Sequence, residues 1–149
     1  MGNPFSQSIT VTATIKAPRS SVWKVLTDFE QYGEWNSFTP SADVAFYPGG
    51  KVHLEAHMGK KGKPWRLNLQ VYEVVDGHSF SWGMHALFPL QAIRHQRLEE
   101  IDAKTTRYIS HETFRGPLVP LVLWIYRTRI IAGIEAVAQG LGEEVEKIR

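Results

Sequence analysis

Four polar side chains at alternating positions of two consecutive β-type segments are the strongest candidates for chemistry. Arg94 and Gln96 alternate in the first segment, and Ser110 and Glu112 alternate in the second. Residues two apart in a strand point to the same face. All four therefore turn inward if Leu98, in phase with the first pair, and Phe114, in phase with the second pair, face the interior. In an apolar pocket, the arginine would polarise or bind a ligand oxygen and the glutamate would transfer a proton.

A guanidinium and a carboxylate inside an apolar pocket should pair, because an isolated buried charge is very costly. We therefore expect Arg94 and Glu112 to lie close together, with Gln96 and Ser110 completing the network. Proton transfer would require a raised pKa at Glu112, which burial favours and an adjacent arginine opposes. The alternatives are a structural ion pair at the rim of the cavity, or a strand phase that is shifted by one residue.

Histidine is the other residue type here that can move a proton or hold a metal. His85, beside Met84 at a strand end, is the histidine placed to act as an acid or base, with an exposed loop residue as the alternative. His53 and His57 are four apart on a strand, which separates them by ~13 Å, too far for one ion. The sequence has no His-Glu-x-x-His motif and no cysteine, so we expect no metal site and no cofactor.

Aromatic and apolar side chains at alternating strand positions are expected to line a pocket around the polar cluster, although plain core packing is the alternative. An Asn in the turn after the first helices is a candidate hydrogen-bonding group, with turn stabilisation equally open. The predicted ligand-binding residues are Trp35, Asn36, Leu54, Trp65, Leu67, Trp82, Met84, Phe88, Arg94, Gln96, Ser110, Glu112, Phe114 and Trp124.

Hydrophobic periodicity predicts the elements that position these residues. Alternation indicates strands, and apolar residues at three- and four-residue steps indicate a helix after Pro18 to about Thr27 and one long helix over Leu118 to Ile148. Short turns between successive strands imply an antiparallel sheet with helices on one face. The prediction is a single α+β domain over residues 1–149, with a sheet of six or seven strands. The predicted strands are 9–15, 51–58, 65–75, 79–84, 93–101 and 105–114.

An apolar loop over residues 83–90 and the start of the long helix, Leu118 to Val122, are expected at the pocket entrance. Loops are usually polar, so the apolar residues of this loop must pack somewhere. The two segments could form an exposed apolar mouth that contacts a lipid-like ligand, a membrane or a partner. The alternative is that they bury each other.

Several short motifs of the chain occur together in one known superfamily. They are Ala17-Pro18, Val22-Trp23, Asp28-Phe29, Tyr32, Trp35-Asn36, Thr105-Thr106-Arg107, Glu112, Phe114 and Gly116. With these motifs the chain resembles the START-like, helix-grip superfamily (SRPBCC, polyketide cyclase/dehydrase and lipid-transport proteins). The resemblance covers roughly residues 9–148 and implies a helix-grip fold: a curved sheet wrapped around a long C-terminal helix, with two short helices after the first strand and a ligand cavity between sheet and helix.

Composition narrows the classes of function. The formal net charge is +2 and 21% of residues are charged, which gives no indication of nucleic-acid binding. Residues 1–8 carry neither a basic region nor an apolar run, and the longest apolar-rich run is far shorter than the ~20 residues of a membrane span. With no cysteine, the chain suits a reducing compartment. We expect a cytoplasmic monomer or homodimer without stable membrane insertion.

Three functions remain open from the sequence. The first is binding of a small hydrophobic molecule (a lipid, sterol or polyketide-like compound) in the cavity. The second, implied by the resemblance, is a polyketide cyclase/dehydratase-type enzyme, using Arg94 on a bound carbonyl and Glu112 or His85 for proton transfer. The third is a partner-binding or stress-response module whose apolar mouth is the functional surface.

Overall fold

A computed structural model describes residues 3–58, 63–84 and 90–148. Three helices, one 3-10 turn and seven strands follow one another in these ranges. The first strand leads into two short helices, and the remaining strands precede one long helix. In chain order the elements are β1 (Ser6–Ile15), α1 (Arg19–Leu26), the 3-10 turn Phe29–Gln31, α2 (Tyr32–Trp35), β2 (Ser41–Val44), β3 (Lys51–Ala56), β4 (Trp65–Val75), β5 (Ser79–Met84), β6 (Gln91–Asp102), β7 (Thr105–Arg115) and α3 (Val119–Ile148).

The seven strands form one antiparallel sheet in the order β1-β7-β6-β5-β4-β3-β2. Strands β2 to β7 follow one another as a meander, since each pairs with the next in sequence. The turn between β4 and β5 contains Gly77 at a φ of 78°, a left-handed conformation that glycine adopts without a steric penalty. β1 lies at one edge of the sheet and pairs with β7.

The long helix α3 lies over the sheet and contacts β1, α1 and β7. Pro120 is in its first turn, where a missing N–H removes no intrahelical bond. The buried face of α3 follows the helical repeat, because inward side chains recur at three-, four- and seven-residue steps. Together with the sheet it encloses the core through Leu123, Ile130, Ile134, Val137, Leu141 and Val145.

Two features of the sequence prediction need correction. β2 was absent from the predicted strands, because four residues after Pro40 are too few to display an alternation pattern. Trp124 was assigned to the inward stripe of α3, yet its side chain is 83% exposed. Leu123 faces the core instead, and one residue further along a helix turns the side chain by about 100° away from it.

None of the helices in the described ranges is both long enough and apolar enough to span a bilayer.

Candidate functional site

A cavity lies between the concave side of the sheet and the first half of α3. Its volume is about 140 Å³, and apolar side chains from β3, β4, β5, β7 and α3 form most of its wall. Among the described wall residues two are charged, and they face each other across neighbouring strands. The lining residues are Phe38, Thr39, Leu54, Ala56, Met58, Trp65, Leu67, Leu69, Trp82, Gly83, Met84, Leu90, Ala92, Arg94, Glu112, Phe114, Val122 and Ile130.

Arg94 is fixed in this wall by hydrogen bonds to buried oxygens. Its Nε donates to Ser110 Oγ at 2.8 Å, and its Nη2 donates to Tyr108 Oη at 3.2 Å. Tyr108 in turn donates to Gln96 Oε1 at 2.5 Å. Arg94 is only 8% exposed and the other three are more deeply buried, so the network orients a permanent positive charge beside an apolar cavity.

Glu112 lies directly opposite Arg94 in the β6–β7 register. Its side chain is half-buried and lines the cavity. Burial raises the pKa of the Glu112 carboxyl, and the nearby Arg94 charge lowers it by a smaller amount. Among the described residues the Arg94 guanidinium donates to Ser110 and Tyr108 rather than to Glu112, so the carboxyl is available to a ligand.

One wall of the cavity depends on the absence of a side chain in α3. Phe38 packs so closely on Gly133 that a Cβ there would lie 2.4 Å from Phe38 Cδ1 and Cε1. Real Cβ atoms do not approach a ring this closely, so only glycine lets Phe38 occupy its observed place. Because Phe38 lines the cavity, the position of this part of the wall depends on the glycine at 133.

The structure places eight of the residues predicted for ligand binding in the cavity wall. They come from β3, β4, β5, β6 and β7, and their phase agrees with the alternation of the sequence. These residues are Leu54, Trp65, Leu67, Trp82, Met84, Arg94, Glu112 and Phe114.

The expected polar cluster is brought together, but its arrangement differs from the expectation in two respects. Arg94 and Glu112 are neighbours and Ser110 belongs to the network, as expected. Gln96 and Ser110 lie behind the wall, however, and act on the arginine rather than on the cavity. The arginine's bonds to neutral oxygens replace the expected contact ion pair.

Three further predicted residues lie away from the cavity. Trp35 borders a separate groove between α1 and the end of α3, where its backbone oxygen packs against Gly140. The Asn36 side chain accepts a hydrogen bond from Thr39 N at 2.8 Å, which is the turn-stabilising role. Trp124 points outward from α3. His85 and Phe88 lie outside the described residues.

Tyr108 and several apolar wall residues were not among the predicted site residues. Tyr108 shares the strand phase of Ser110 and Glu112, so alternation alone placed it on the correct face. Met58 lies two residues after the end of β3 and continues the alternation that places Leu54 in the cavity wall. Phe38 had no such signal, since it follows α2 in irregular backbone.

A curved antiparallel sheet that closes on a long C-terminal helix, with short helices after the first strand, is the helix-grip architecture. Comparison with known families agrees with it. The sequence model of the family described as "Polyketide cyclase / dehydrase and lipid transport" matches residues 6–146. The chain belongs to this family.

Individual relatives are distant. A protein of Penicillium oxalicum (strain 114-2 / CGMCC 5302), named "Oxopyrrolidines biosynthesis cluster protein O", is 27% identical over 145 residues, covering 74% of this chain and 72% of the relative. The Zhui aromatase/cyclase from Streptomyces sp. R1128 superposes with a TM-score of 0.72 at 17% identity, covering 97% and 96% of the two chains.

A START superfamily protein from Mycobacterium smegmatis superposes with a TM-score of 0.71 at 15% identity, covering 95% of this chain and 99% of that protein. At such identities the two structural neighbours show the fold alone.

Proposed function

We propose that this protein binds a compact, mostly apolar molecule that carries a carbonyl, hydroxyl or carboxylate oxygen. The observation that carries the proposal is Arg94, held by buried Ser110 and Tyr108 in the wall of an otherwise apolar cavity. A pocket with apolar walls and a few fixed polar groups is typical of small-molecule sites. The remaining N–H donors of the guanidinium provide the recognition of a ligand oxygen.

The cavity volume limits the part of the ligand that is enclosed. About 140 Å³ is available, and an apolar cavity of roughly 150 Å³ holds a molecule the size of benzene. One ring with its oxygen substituent fits this space. Of the ligand classes considered from the sequence, a polyketide-like compound presents such an end, whereas a complete sterol is too large.

A second candidate function is a cyclase or dehydratase reaction on the same ligand class, favoured by the raised pKa of Glu112. Arg94 would hold and polarise a carbonyl, which acidifies the adjacent C–H. The Glu112 carboxylate would take that proton and return it to a hydroxyl on the next carbon. The C–H electron pair forms the C=C bond and the hydroxyl leaves as water. The Streptomyces neighbour is named an aromatase/cyclase, and the Penicillium relative is named for an oxopyrrolidines biosynthesis cluster.

The binding proposal is tested with a pair of probes that differ in one oxygen. Acetophenone and ethylbenzene have similar size, and protein-observed NMR titration gives both dissociation constants. We expect the ketone to bind about tenfold more tightly, because a hydrogen bond from a charged donor contributes about 1.5–3 kcal/mol. Arg94→Met should abolish this preference. Arg97→Met is the matched control, since Arg97 is in the same strand but exposed on the opposite face.

The interpretation requires that the variants remain folded. Arg94→Met leaves Ser110 and Tyr108 without their donor, so its unfolding free energy is measured alongside. A second variant, Glu112→Gln, changes the other charged group of the site while keeping nearly the same side-chain shape. A wild-type protein that shows no preference for the ketone, or a folded Arg94→Met variant that retains it, would remove the arginine from the site.

Glu112→Gln also separates the two functions. Native mass spectrometry of the protein from its own host, followed by denaturing extraction, identifies the chemical class of a co-purifying ligand. If the protein is a carrier, the Gln variant retains that ligand unchanged in mass. If it is a dehydratase, the wild type releases a product that is lighter than the ligand by one water, and the Gln variant does not.

A further inference from the structure

The outer face of the first turns of α3 carries an apolar surface that the cavity does not use. We call Leu118, Leu121, Trp124 and Ile125 the α3 patch; all four side chains are exposed, Trp124 by 83% and Leu121 by 50%. The neighbouring Val122 points the other way and lines the cavity. One helical segment therefore presents apolar side chains both to the cavity and to the solvent.

Exposed apolar side chains concentrate at one end of the sheet. The α3 patch follows directly after the end of β7, where Arg115 pairs with Ser6 of β1. Exposed Phe5 lies at the same end, because its carbonyl accepts a hydrogen bond from Gly116 N. Trp65, which begins β4, is also partly exposed there and packs edge-on against Tyr126 of α3 at 4.9 Å between ring centroids.

The chain segment that carries the α3 patch has charges of a single sign. Between Glu112 and Glu135 the sequence contains three arginines and no acidic residue. Arg115 and Arg127 are exposed, while Arg129 lies over the Tyr126 ring at 5.9 Å. The formal charge of the whole chain is only +2, so this segment is more basic than the rest of the chain.

We propose that the α3 patch docks the protein reversibly on an anionic phospholipid bilayer, with the end of the sheet where β7 meets α3 towards the lipid. Trp is favoured at the membrane–water interface because its ring is amphipathic. An apolar helix face flanked by arginines combines the two signals that surface binding requires, namely apolar burial and attraction to anionic headgroups. A contact of this kind places only side chains in the interface, so it needs no spanning segment.

The test is vesicle co-flotation of the full-length protein. Vesicles of phosphatidylcholine with about 30% phosphatidylserine are compared with pure phosphatidylcholine vesicles at low and high salt. We expect flotation on the anionic vesicles, weakened by salt. Trp124→Ala should lower the partition coefficient at least about tenfold, and Arg115→Gln with Arg127→Gln about fivefold for each charge removed.

Matched controls come from the other end of the sheet. Tyr47 is 61% exposed and Ile101 is 46% exposed, but they lie near the β2–β3 and β6–β7 turns, away from the α3 patch. Tyr47→Ala and Ile101→Ala should float like the wild type. All of these side chains are on the surface, so the variants should fold.

Three results would overturn the proposal. The first is absence of flotation on anionic vesicles. The second is equal flotation of Trp124→Ala and the wild type. The third is a concentration-dependent dimer that Trp124→Ala abolishes while vesicles bind neither protein, which would make the α3 patch an interface between two copies of the chain. The assay uses no cavity ligand, so its outcome is independent of the proposed binding function.

Discussion

Replacing Tyr108 with Phe tests the network that fixes Arg94. The Tyr108 hydroxyl accepts from Arg94 Nη2 at 3.2 Å and donates to Gln96 Oε1 at 2.5 Å. Its removal leaves the amide oxygen without a donor and one guanidinium N–H without an acceptor. Each buried polar group left unpaired costs about 1–3 kcal/mol. Arg94 can turn part of its guanidinium towards the cavity, so we expect a loss of about 2–3 kcal/mol in the free energy of unfolding.

Urea denaturation measures this loss, and a domain of this size has about 5–15 kcal/mol available, so the variant should fold. The control is Tyr47→Phe, whose hydroxyl is on a largely exposed side chain and should change stability by no more than about 0.5 kcal/mol. A loss below about 0.5 kcal/mol for Tyr108→Phe, with an unchanged denaturant slope, would show that the hydroxyl does not join Arg94 to Gln96. The orientation assigned to the arginine would then have no support.

Further predictions concern Glu112 and the helix glycines. Burial raises the pKa of Glu112 above its ordinary value of 4.5, so the folded state binds this proton more tightly than the unfolded state. Its contribution to stability is therefore full below about pH 4.5 and is lost as the pH rises through the folded-state pKa. Glu112→Gln should be more stable than the wild type at neutral pH, with the difference vanishing in acid; unfolding from pH 4 to 8 measures it, and a pH-independent difference would refute it. Exposed Glu34→Gln should show no such trend.

In α3, Gly133→Ala places a Cβ against Phe38, so the strain should cancel the gain of about 1 kcal/mol in helix propensity, and a displaced ring should weaken probe binding. Gly142→Ala meets only ordinary contacts at 3.6 Å or more and should gain stability by thermal unfolding. Equal stabilisation by both changes would contradict the tight packing at Gly133.

The alternation of polar and apolar residues predicted that Arg94 and Glu112 line the cavity, whereas Gln96 and Ser110 lie behind its wall. In β6 and β7 the period of two placed Arg94 and Glu112 inward, and the short turn between these strands made them neighbours. The sequence could not predict which oxygens accept hydrogen bonds from the Arg94 guanidinium. That choice depends on how far each side chain reaches across the strand pair. Tyr108 was not predicted as a site residue for the same reason. From sequence alone, an inward aromatic residue cannot be distinguished from a core residue, because the partner of its hydroxyl is unknown.

The helical part of the wall was harder to predict than the strands. On α3 a change of one residue rotates a side chain by about 100°, so apolar residues on both faces near the helix start gave no unique inward stripe. Trp124 was assigned inward while Val122 and Ile130 are the cavity residues. The short edge strand β2 and the position of Phe38 depend on tertiary packing, and local patterns carry no information on them.

The first strand of the sheet pairs with the last, so the sheet is complete only after the two distant parts of the chain have met. Thr10 of β1 bonds His111 of β7 across 101 positions of sequence, whereas β2 to β7 join consecutive neighbours through short connections. Local hairpins form faster than distant pairs, because less chain entropy is lost before contacts form. Until β1 arrives, β7 is therefore an unpaired edge, the feature that promotes association between chains. The strand that carries Tyr108 and Glu112 therefore has an open edge during folding that β1 covers in the finished sheet.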